Sequence, residues 1–189
     1  MRDPKILVNF FKHILAIDFQ LTEAIGQWAR HQRIRKMARL LSHSADSWVW
    51  LGGSFLVGLL IPSWRCLAWA GGGGIFSLAA FIYMLKALIR RQRPRPESGW
   101  IYAMTDDHSF PSGHAARVVL LVMLTLPIGQ PIISLGVALW AILVSFSRLT
   151  LGVHYISDVF AGMILGGGWG GMVLAFWPGV QSVCSAWGF

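Results

Sequence analysis

The side chains of this sequence that could do chemistry fall into three short polar clusters between residues 86 and 158. Together they hold three permanent cations, two imidazoles and one carboxylate, which is the set needed to bind a phosphate and attack it. The clusters are Lys86 with Arg93 and Pro94, then Pro111-Ser112-Gly113-His114, and then Ser147-Arg148 with His154 and Asp158. The intervening segments must therefore fold so that these distant residues meet.

The first cluster is basic. Lys86 and Arg93 are seven residues apart, or two helical turns, so they would project from one face of a helix that contains both. Arginine binds two phosphate oxygens with its planar fork, and lysine adds a point charge. The neighbouring Arg90, Arg91 and Arg95 are interpreted as headgroup contacts or determinants of topology, because basic residues commonly flank a membrane span.

The second and third clusters each supply an imidazole. Pro111 to His114 has the composition of a loop that becomes a helix, where backbone N–H groups, a glycine and a serine hydroxyl can cradle an anion. His154 and Asp158 are four residues apart, so a helix beginning near His154 would stack them. The carboxylate could then accept the Nδ1 proton and leave Nε2 to attack. Taken alone, the second cluster could be an ordinary helix start with an incidental histidine. The third could be a His-Asp pair with a purely structural role.

Composition indicates a membrane protein. The chain has 189 residues, of which 55% are apolar and 13% charged, and its formal net charge is +8. Arg65 is the only charged residue between Ser47 and Leu85, and none lies between Arg117 and Arg148. Each stretch is roughly twice the ~20 residues that cross a bilayer, so each predicts a hairpin of two spans. The alternative is a buried helical core in a soluble protein, but a chain this small could not cover such helices.

Turn residues divide both hairpins, at 62–65 and at 127–131, and a fifth apolar stretch follows the third cluster. The predicted spans cover about 48–61, 67–85, 118–126, 132–146 and 159–177. With this span count, all three clusters fall on one face of the membrane. We therefore predict an all-α fold: a polytopic membrane helix bundle of about five spans over residues 46–189, preceded by amphipathic interfacial helices over residues 1–45.

The basic residues predict the orientation. Residues 4–41 alternate apolar and basic positions at helical spacing, which is typical of helices in the headgroup layer, although helices packed on the bundle would fit equally well. Of the 16 lysines and arginines, 15 fall on the face that carries the clusters. The positive-inside rule then predicts an integral protein of a bacterial inner (plasma) membrane with its clusters in the cytoplasm.

Several residues outside the clusters also carry predictions. Glycines spaced four apart in the fifth span favour close packing within the bundle, with a homodimer through the Gly-rich spans as the alternative. Cys66 and Cys184 are interpreted as membrane-embedded thiols rather than as a disulfide. Arg117 is interpreted as a snorkelling cation rather than as a ligand of a second phosphate. Residues 97–108 are expected to form part of the rim of the site.

The three spacings resemble the type 2 phosphatidic acid phosphatase (PAP2) superfamily. Its signature is Lys-x6-Arg-Pro, Pro-Ser-Gly-His and Ser-Arg-x5-His-x3-Asp, and every specified position is matched here, from Lys86 to Asp158. The resemblance covers about residues 80–165. It implies that His154 is a nucleophile forming a phosphohistidine, that Asp158 orients it, and that His114 is the general acid. The phosphate-binding residues that it implies are Lys86, Arg93, Ser112, Gly113 and Arg148.

The predicted function is a lipid phosphate phosphatase that needs no metal or other cofactor, because fixed cations take the part of a magnesium ion. Its partners would be the membrane and a phosphorylated lipid of the phosphatidic acid, phosphatidylglycerophosphate or polyprenyl phosphate type. Nucleic acid is not expected, because the basic residues lie beside the spans. The alternatives are a lipid phosphotransferase of the same superfamily and a non-catalytic anion-binding membrane protein.

Overall fold

The computed structural model describes residues 4–29, 31–95 and 108–186, and these residues form eight α-helices. The helices are α1 (Pro4–Trp28), α2 (Gln32–His43), α3 (Ser47–Leu60), α4 (Arg65–Ile89), α5 (Gly113–Thr125), α6 (Pro131–Thr150), α7 (Ile156–Ala175) and α8 (Trp177–Ala186). Short 3-10 turns, Pro62–Trp64 and Leu126–Ile128, connect α3 to α4 and α5 to α6. No β-strand occurs in the described ranges, so the predicted all-α fold is confirmed.

All five predicted spans are helices, although they differ in length. Three segments are long and apolar enough to cross a membrane: Pro62–Ile89, Pro131–Thr150 and Ile156–Ala175. Ser47–Leu60 and Gly113–Ile128 are shorter apolar helices. Large apolar side chains cover the outside of the bundle; Leu60 is 74% exposed and Ile132 85% exposed. Such a surface suits a lipid environment, where apolar side chains need no burial.

The centre of the bundle is the packing of α5 against α4 and α7. Ile75, Leu78 and Ile82 of α4 form a buried cluster with Leu120 and Leu124 of α5. On its other side α5 lies against three glycines of α7. A methyl group at the first two would overlap the Ser112 and Ala116 carbonyls, and one at the third would overlap the Met123 side chain. The prediction that glycines of the fifth span pack within the bundle is therefore confirmed for Gly162, Gly166 and Gly170.

The N-terminal helices α1 and α2 pack against the bundle. Asp18 and Thr22 of α1 are buried, as are Ala38 and Ser42 of α2, while most other residues of α2 are exposed. The sequence predicts that residues 4–41 either lie in the headgroup layer or pack on the bundle, and the buried faces of both helices pack on the bundle.

The two cysteines form a disulfide, so the interpretation of Cys66 and Cys184 as thiols is wrong. Cys66 is the second residue of α4, and α8 turns back after α7 so that Cys184 reaches it. Sequence reasoning missed the pairing because it did not predict this last helix. Lys86 lies twenty residues further along α4, which corresponds to roughly 30 Å of helix. The disulfide and the first cluster are thus at opposite ends of the bundle.

Candidate active site

Two backbone segments lie side by side where the chain leaves α4 and enters α5. Gln92 and His108 form an antiparallel bridge, and the Ser109 N–H donates to the Arg91 carbonyl at 2.8 Å. The Ser109 hydroxyl, which is fully buried, donates to the Arg91 and Gln92 carbonyls at 3.3 and 3.2 Å. Of the predicted rim, residues 97–107 lie outside the described residues. Carbonyl groups of the paired segments bind side chains of the first and third clusters, Lys86 and His154.

Lys86 and Arg93 of the first cluster lie in different backbone settings. Lys86 lies in the last turn of α4, is 6% exposed, and donates from Nζ to the His108 carbonyl at 2.9 Å. Arg90 adopts the left-handed conformation at φ 50°, so α4 ends at Ile89. The expectation that Lys86 and Arg93 share a helix face is therefore wrong. Arg93 lies beyond the helix end on the paired segment, half-buried, with Nε and Nη2 inaccessible to solvent.

The second cluster begins a helix, as predicted. Ser112 is the N-cap of α5, and its hydroxyl accepts from the Ala115 N–H at 3.5 Å. Gly113 and His114 are the first two residues of the helix. The Ser112 N–H donates to the Asp158 carbonyl at 3.0 Å, so the second and third clusters are joined through their backbones.

His154 lies just before α7 rather than on it, so the predicted helical stacking with Asp158 does not occur. Nδ1 of His154 is 2.7 Å from the Ser109 carbonyl oxygen and 3.7 Å from Oδ2 of Asp158. A carbonyl oxygen can only accept a hydrogen bond, so Nδ1 carries the proton and the neutral ring has its lone pair on Nε2. Ser109 was missed because a backbone acceptor leaves no mark in a sequence pattern.

Asp158 is completely buried and held by several donors. Its Oδ2 accepts from the Tyr155 N–H at 2.8 Å, and its Oδ1 accepts from Nη1 of Arg91 at 2.6 Å. The Arg91 guanidinium also lies over the Tyr155 ring, 3.9 Å from its centroid. Burial raises the pKa of the Tyr155 phenol above its ordinary value. The interpretation of Arg91 as a headgroup contact is thus wrong, because its guanidinium binds Asp158 inside the protein.

His114 has an acidic partner that sequence reasoning missed. Its Nε2 lies 2.9 Å from Oδ1 of Asp46, the N-cap of α3, and Oδ2 of Asp46 lies 3.0 Å from Nδ1 of His43. Asp46 is 5% exposed. A signal was available, because Asp46 directly precedes the first apolar stretch on the face of the clusters, where a carboxylate at the edge of a bilayer is costly.

Two further arginines complete the positive charge around His114. Arg148 is 1% exposed and donates to the Ser42 hydroxyl, and Arg117 is 8% exposed and donates to the Ala45 carbonyl. Both guanidinium charges act on the His114 ring. The interpretation of Arg117 as a snorkelling cation is wrong, because its side chain points into the protein.

A cavity of about 510 Å³ opens between α3, α4 and α5. Its polar end is formed by Lys86, Gly113, His114 and Arg117. Its other walls include apolar side chains such as Ile75, Leu78 and Ile82. A cavity that is cationic at one end and apolar along its length fits an amphiphile with an anionic head.

This combination of an apolar bundle with buried histidines and cations at one end defines a membrane-embedded enzyme that handles phosphate. Residues 67–181 match the PAP2 superfamily. A decaprenylphosphoryl-5-phosphoribose phosphatase of Mycobacterium tuberculosis is 35% identical over 141 residues, which are 72% of this chain and 76% of that protein. A lipid A 4'-phosphatase of Bacteroides thetaiotaomicron is 35% identical over 45% of this chain and 43% of its own length.

The fold agrees with that of a solved membrane protein. The crystal structure of a transmembrane PAP2 type phosphatidylglycerolphosphate phosphatase from Bacillus subtilis superimposes with a TM-score of 0.74. The superposition covers 93% of this chain and 96% of that one, at 22% sequence identity. The chain belongs to the PAP2 superfamily. The predicted family and the predicted class, an integral membrane lipid phosphate phosphatase, are confirmed.

Proposed function

We propose that the protein hydrolyses a phosphate ester of a lipid through a phosphohistidine formed on His154. The observation that carries this proposal is the 2.7 Å contact between Nδ1 of His154 and the Ser109 carbonyl. Because a carbonyl oxygen accepts only, this contact favours the proton on Nδ1, and it supports Nε2 as the nucleophilic atom. Burial to 1% exposure also reduces competition from bulk water for this nitrogen.

The reaction proceeds in two steps. Nε2 of His154 attacks phosphorus, the bond between phosphorus and the lipid oxygen breaks, and His114 gives its proton to that oxygen. Water then attacks the phosphohistidine, His114 takes a proton from the water, and the nitrogen–phosphorus bond breaks to release inorganic phosphate. General acid and base catalysis of this kind needs His114 to be protonated in the first step and neutral in the second.

The fixed cations stabilise the charge of the transferring phosphoryl group. Lys86, Arg93 and Arg148 provide the positive charge, while the Ser112 hydroxyl and the Gly113 N–H at the start of α5 provide hydrogen-bond donors for the phosphate oxygens. Asp158, held by Tyr155 and Arg91, stabilises the ring of His154 when it becomes positively charged. No step of this scheme uses a metal ion.

The substrate class follows from the cavity and from the relatives. The cavity offers apolar walls for a lipid chain and a cationic end for a phosphate. The relative that aligns with 72% of this chain is a phosphatase for a polyprenyl-linked phosphosugar. We therefore put a polyprenyl-linked phosphomonoester first, ahead of phosphatidylglycerophosphate, phosphatidic acid and polyprenyl diphosphate.

The site is proposed to face the cytoplasm of a bacterial plasma membrane. The distribution of basic residues supports this orientation. The disulfide supports it independently, because disulfides persist in oxidising compartments and Cys66–Cys184 lies at the end of the bundle opposite the site. A cytoplasmic site would act on lipids made in the inner leaflet.

The test is phosphate release by the purified protein from a panel of these four lipids, with wild type compared with His154→Ala. We expect release from the polyprenyl phosphosugar by wild type and none by the variant. Thermal unfolding in detergent checks that the variant is folded. Labelled phosphate should be trapped on wild type and be absent from His154→Ala. Equal release by both proteins would exclude the covalent mechanism, and no release from any lipid by wild type would exclude the proposed function.

A further inference from the structure

The first helix of the chain contributes a carboxylate to the neighbourhood of the catalytic residues. Asp18 of α1 is 8% exposed, although the helix is amphipathic and much of it lies on the surface. Its Oδ1 accepts from the Ser157 N–H at 3.1 Å, and its Oδ2 lies 2.5 Å from the Ser157 hydroxyl. One turn further, the Thr22 hydroxyl accepts from the Ile156 N–H at 3.3 Å. Helix α1 thus caps the start of α7 at Ile156 and Ser157, which lie between His154 and Asp158 in the sequence.

Arg91 connects this carboxylate to Asp158. Its Nη2 donates to Oδ2 of Asp18 at 2.8 Å, and its Nη1 donates to Oδ1 of Asp158 at 2.6 Å. The flat guanidinium rests on the ring of Tyr155, the residue that caps α7. One cation therefore bridges two carboxylates, with its plane fixed by an aromatic face.

The backbone of Arg91 holds the other partner of His154. Its carbonyl accepts from the Ser109 N–H at 2.8 Å, and the Ser109 carbonyl accepts from Nδ1 of His154 at 2.7 Å. Main chain and side chain of the same residue thus fix both groups that surround the imidazole. A small displacement of Arg91 would move the Ser109 carbonyl and the Asp158 carboxylate together.

We propose that Arg91 and Asp18 are positioning residues for phosphoryl transfer, with α1 holding Arg91 so that Arg91 can fix Asp158 and His154. This inference rests on the proposed function of His154. Asp18 matters because it ties the Arg91 guanidinium to α1, whereas the Asp158 carboxylate, the Ser157 hydroxyl at 2.6 Å and the Tyr155 ring all lie at the start of α7. Lysine cannot replace Arg91, because an ammonium group lacks the planar fork that binds the Asp18 and Asp158 carboxylates at once.

The chain offers a matched control in a second ion pair between the same elements. Nη2 of Arg95 lies 3.2 Å from Oε2 of Glu23, so this pair also joins α1 to the segment after α4. Its side chains are more exposed, at 33% and 29%, and Asp158 is bound by Arg91 rather than by this pair. Loss of the Arg95–Glu23 pair therefore tests docking of α1 without touching the support of Asp158.

The experiment compares kcat and KM of Arg91→Lys, Asp18→Asn, Asp18→Glu and Glu23→Gln on the lipid that wild type hydrolyses. We expect Arg91→Lys and Asp18→Asn each to lower kcat by roughly 10- to 100-fold, as is typical when the support of a reacting group is removed. KM should stay near the wild-type value, because the phosphate-binding cations are unchanged. Labelling of His154 should slow by the same factor as kcat. Asp18→Glu, which keeps the charge, should recover part of the rate, and Glu23→Gln should keep the wild-type kcat.

Thermal unfolding of each purified variant distinguishes a loss of positioning from a loss of stability. If Arg91→Lys does not fold, the test rests on Asp18→Asn, Asp18→Glu and Glu23→Gln. Wild-type kcat in Arg91→Lys and Asp18→Asn would overturn the inference while the proposed function stands. So would an equal fall of kcat in Glu23→Gln and Asp18→Asn, because docking of α1 alone would then explain the loss. Absence of phosphate release by wild type would overturn the proposed function and this inference with it.

Discussion

Nε2 of His114 lies 2.9 Å from Oδ1 of Asp46. The two residues come from different parts of the bundle, since Asp46 caps α3 and His114 is in the first turn of α5. Burial of the His114 ring and the positive charges of Arg148 and Arg117 oppose its protonation, and the hydrogen bond and negative charge of Asp46 act against them. A general acid must hold a proton before it can deliver one, so the carboxylate of Asp46 supports the role proposed for His114.

Asp46→Asn should impair proton delivery more than phosphate binding. Asparagine has nearly the same shape but carries no charge, so the protonated ring of His114 loses its compensating carboxylate. We expect kcat for a lipid phosphate to fall roughly 10- to 100-fold. The fall should be much smaller for p-nitrophenyl phosphate, whose leaving group departs without a proton. Steady-state kinetics with both substrates measure the difference. An equal loss on both would mean that Asp46 acts through stability or phosphate binding.

The same pair of substrates should distinguish the roles of His114 and His154. His114→Ala removes the proton donor and should lower kcat for the lipid by about 10²- to 10⁴-fold, the usual contribution of a general acid. With p-nitrophenyl phosphate much of that loss should disappear from the first turnover, in which p-nitrophenolate leaves and the phosphohistidine forms, whereas later turnovers still lack the base that activates water. His154→Ala removes the nucleophile and should be inactive on both substrates. If His114→Ala released no more p-nitrophenolate in the first turnover than His154→Ala, His114 would have a role in the first step beyond protonating the leaving group.

Sequence spacing predicted that the three clusters meet, but it predicted their local geometry less well. The span count correctly placed the three clusters at one end, because uncharged stretches and turn residues determine how often the chain crosses the bundle. The helical register beyond the spans was wrong in two places. Arg90 adopts a left-handed conformation that ends α4 before Arg93, and α7 begins after His154. Neither Arg90 nor His154 is a glycine or proline, so no residue signals a helix break at either position.

The supporting residues could not be predicted from motifs. Ser109 acts through its backbone carbonyl, which every residue has. Asp18 and Arg91 are 73 residues apart and meet because α1 packs over the start of α7. The disulfide depends on a C-terminal helix that folds back on the bundle. These contacts arise from tertiary packing between segments whose local patterns are ordinary.

The glycine contacts of α7 give a prediction about stability. A methyl group at Gly166 would overlap the backbone of Ala116, whereas one at Gly171 would meet open space. Gly166→Ala should therefore push α5 and α7 apart and destabilise the protein by roughly 1–3 kcal/mol, as overpacking does. Gly171→Ala is the control on the same helix and should be neutral or slightly stabilising, since alanine favours helices. Thermal unfolding in detergent measures both. Similar midpoints for the two variants would show that α7 does not pack on α5 this closely in the membrane.

The proposed orientation can be tested with a pair of introduced cysteines. Lys36 is exposed on α2, on the side of the bundle that carries the site, and Gln130 is exposed at the start of α6, on the side of the disulfide. The two native cysteines are bonded to each other, so an introduced thiol is the reactive one. In intact cells a membrane-impermeant maleimide should label Gln130→Cys, and it should label Lys36→Cys only after the cells are permeabilised. The opposite pattern would put the site outside. It would also place the disulfide in the reducing cytoplasm, where such bonds rarely persist, so both arguments for the orientation would fail together.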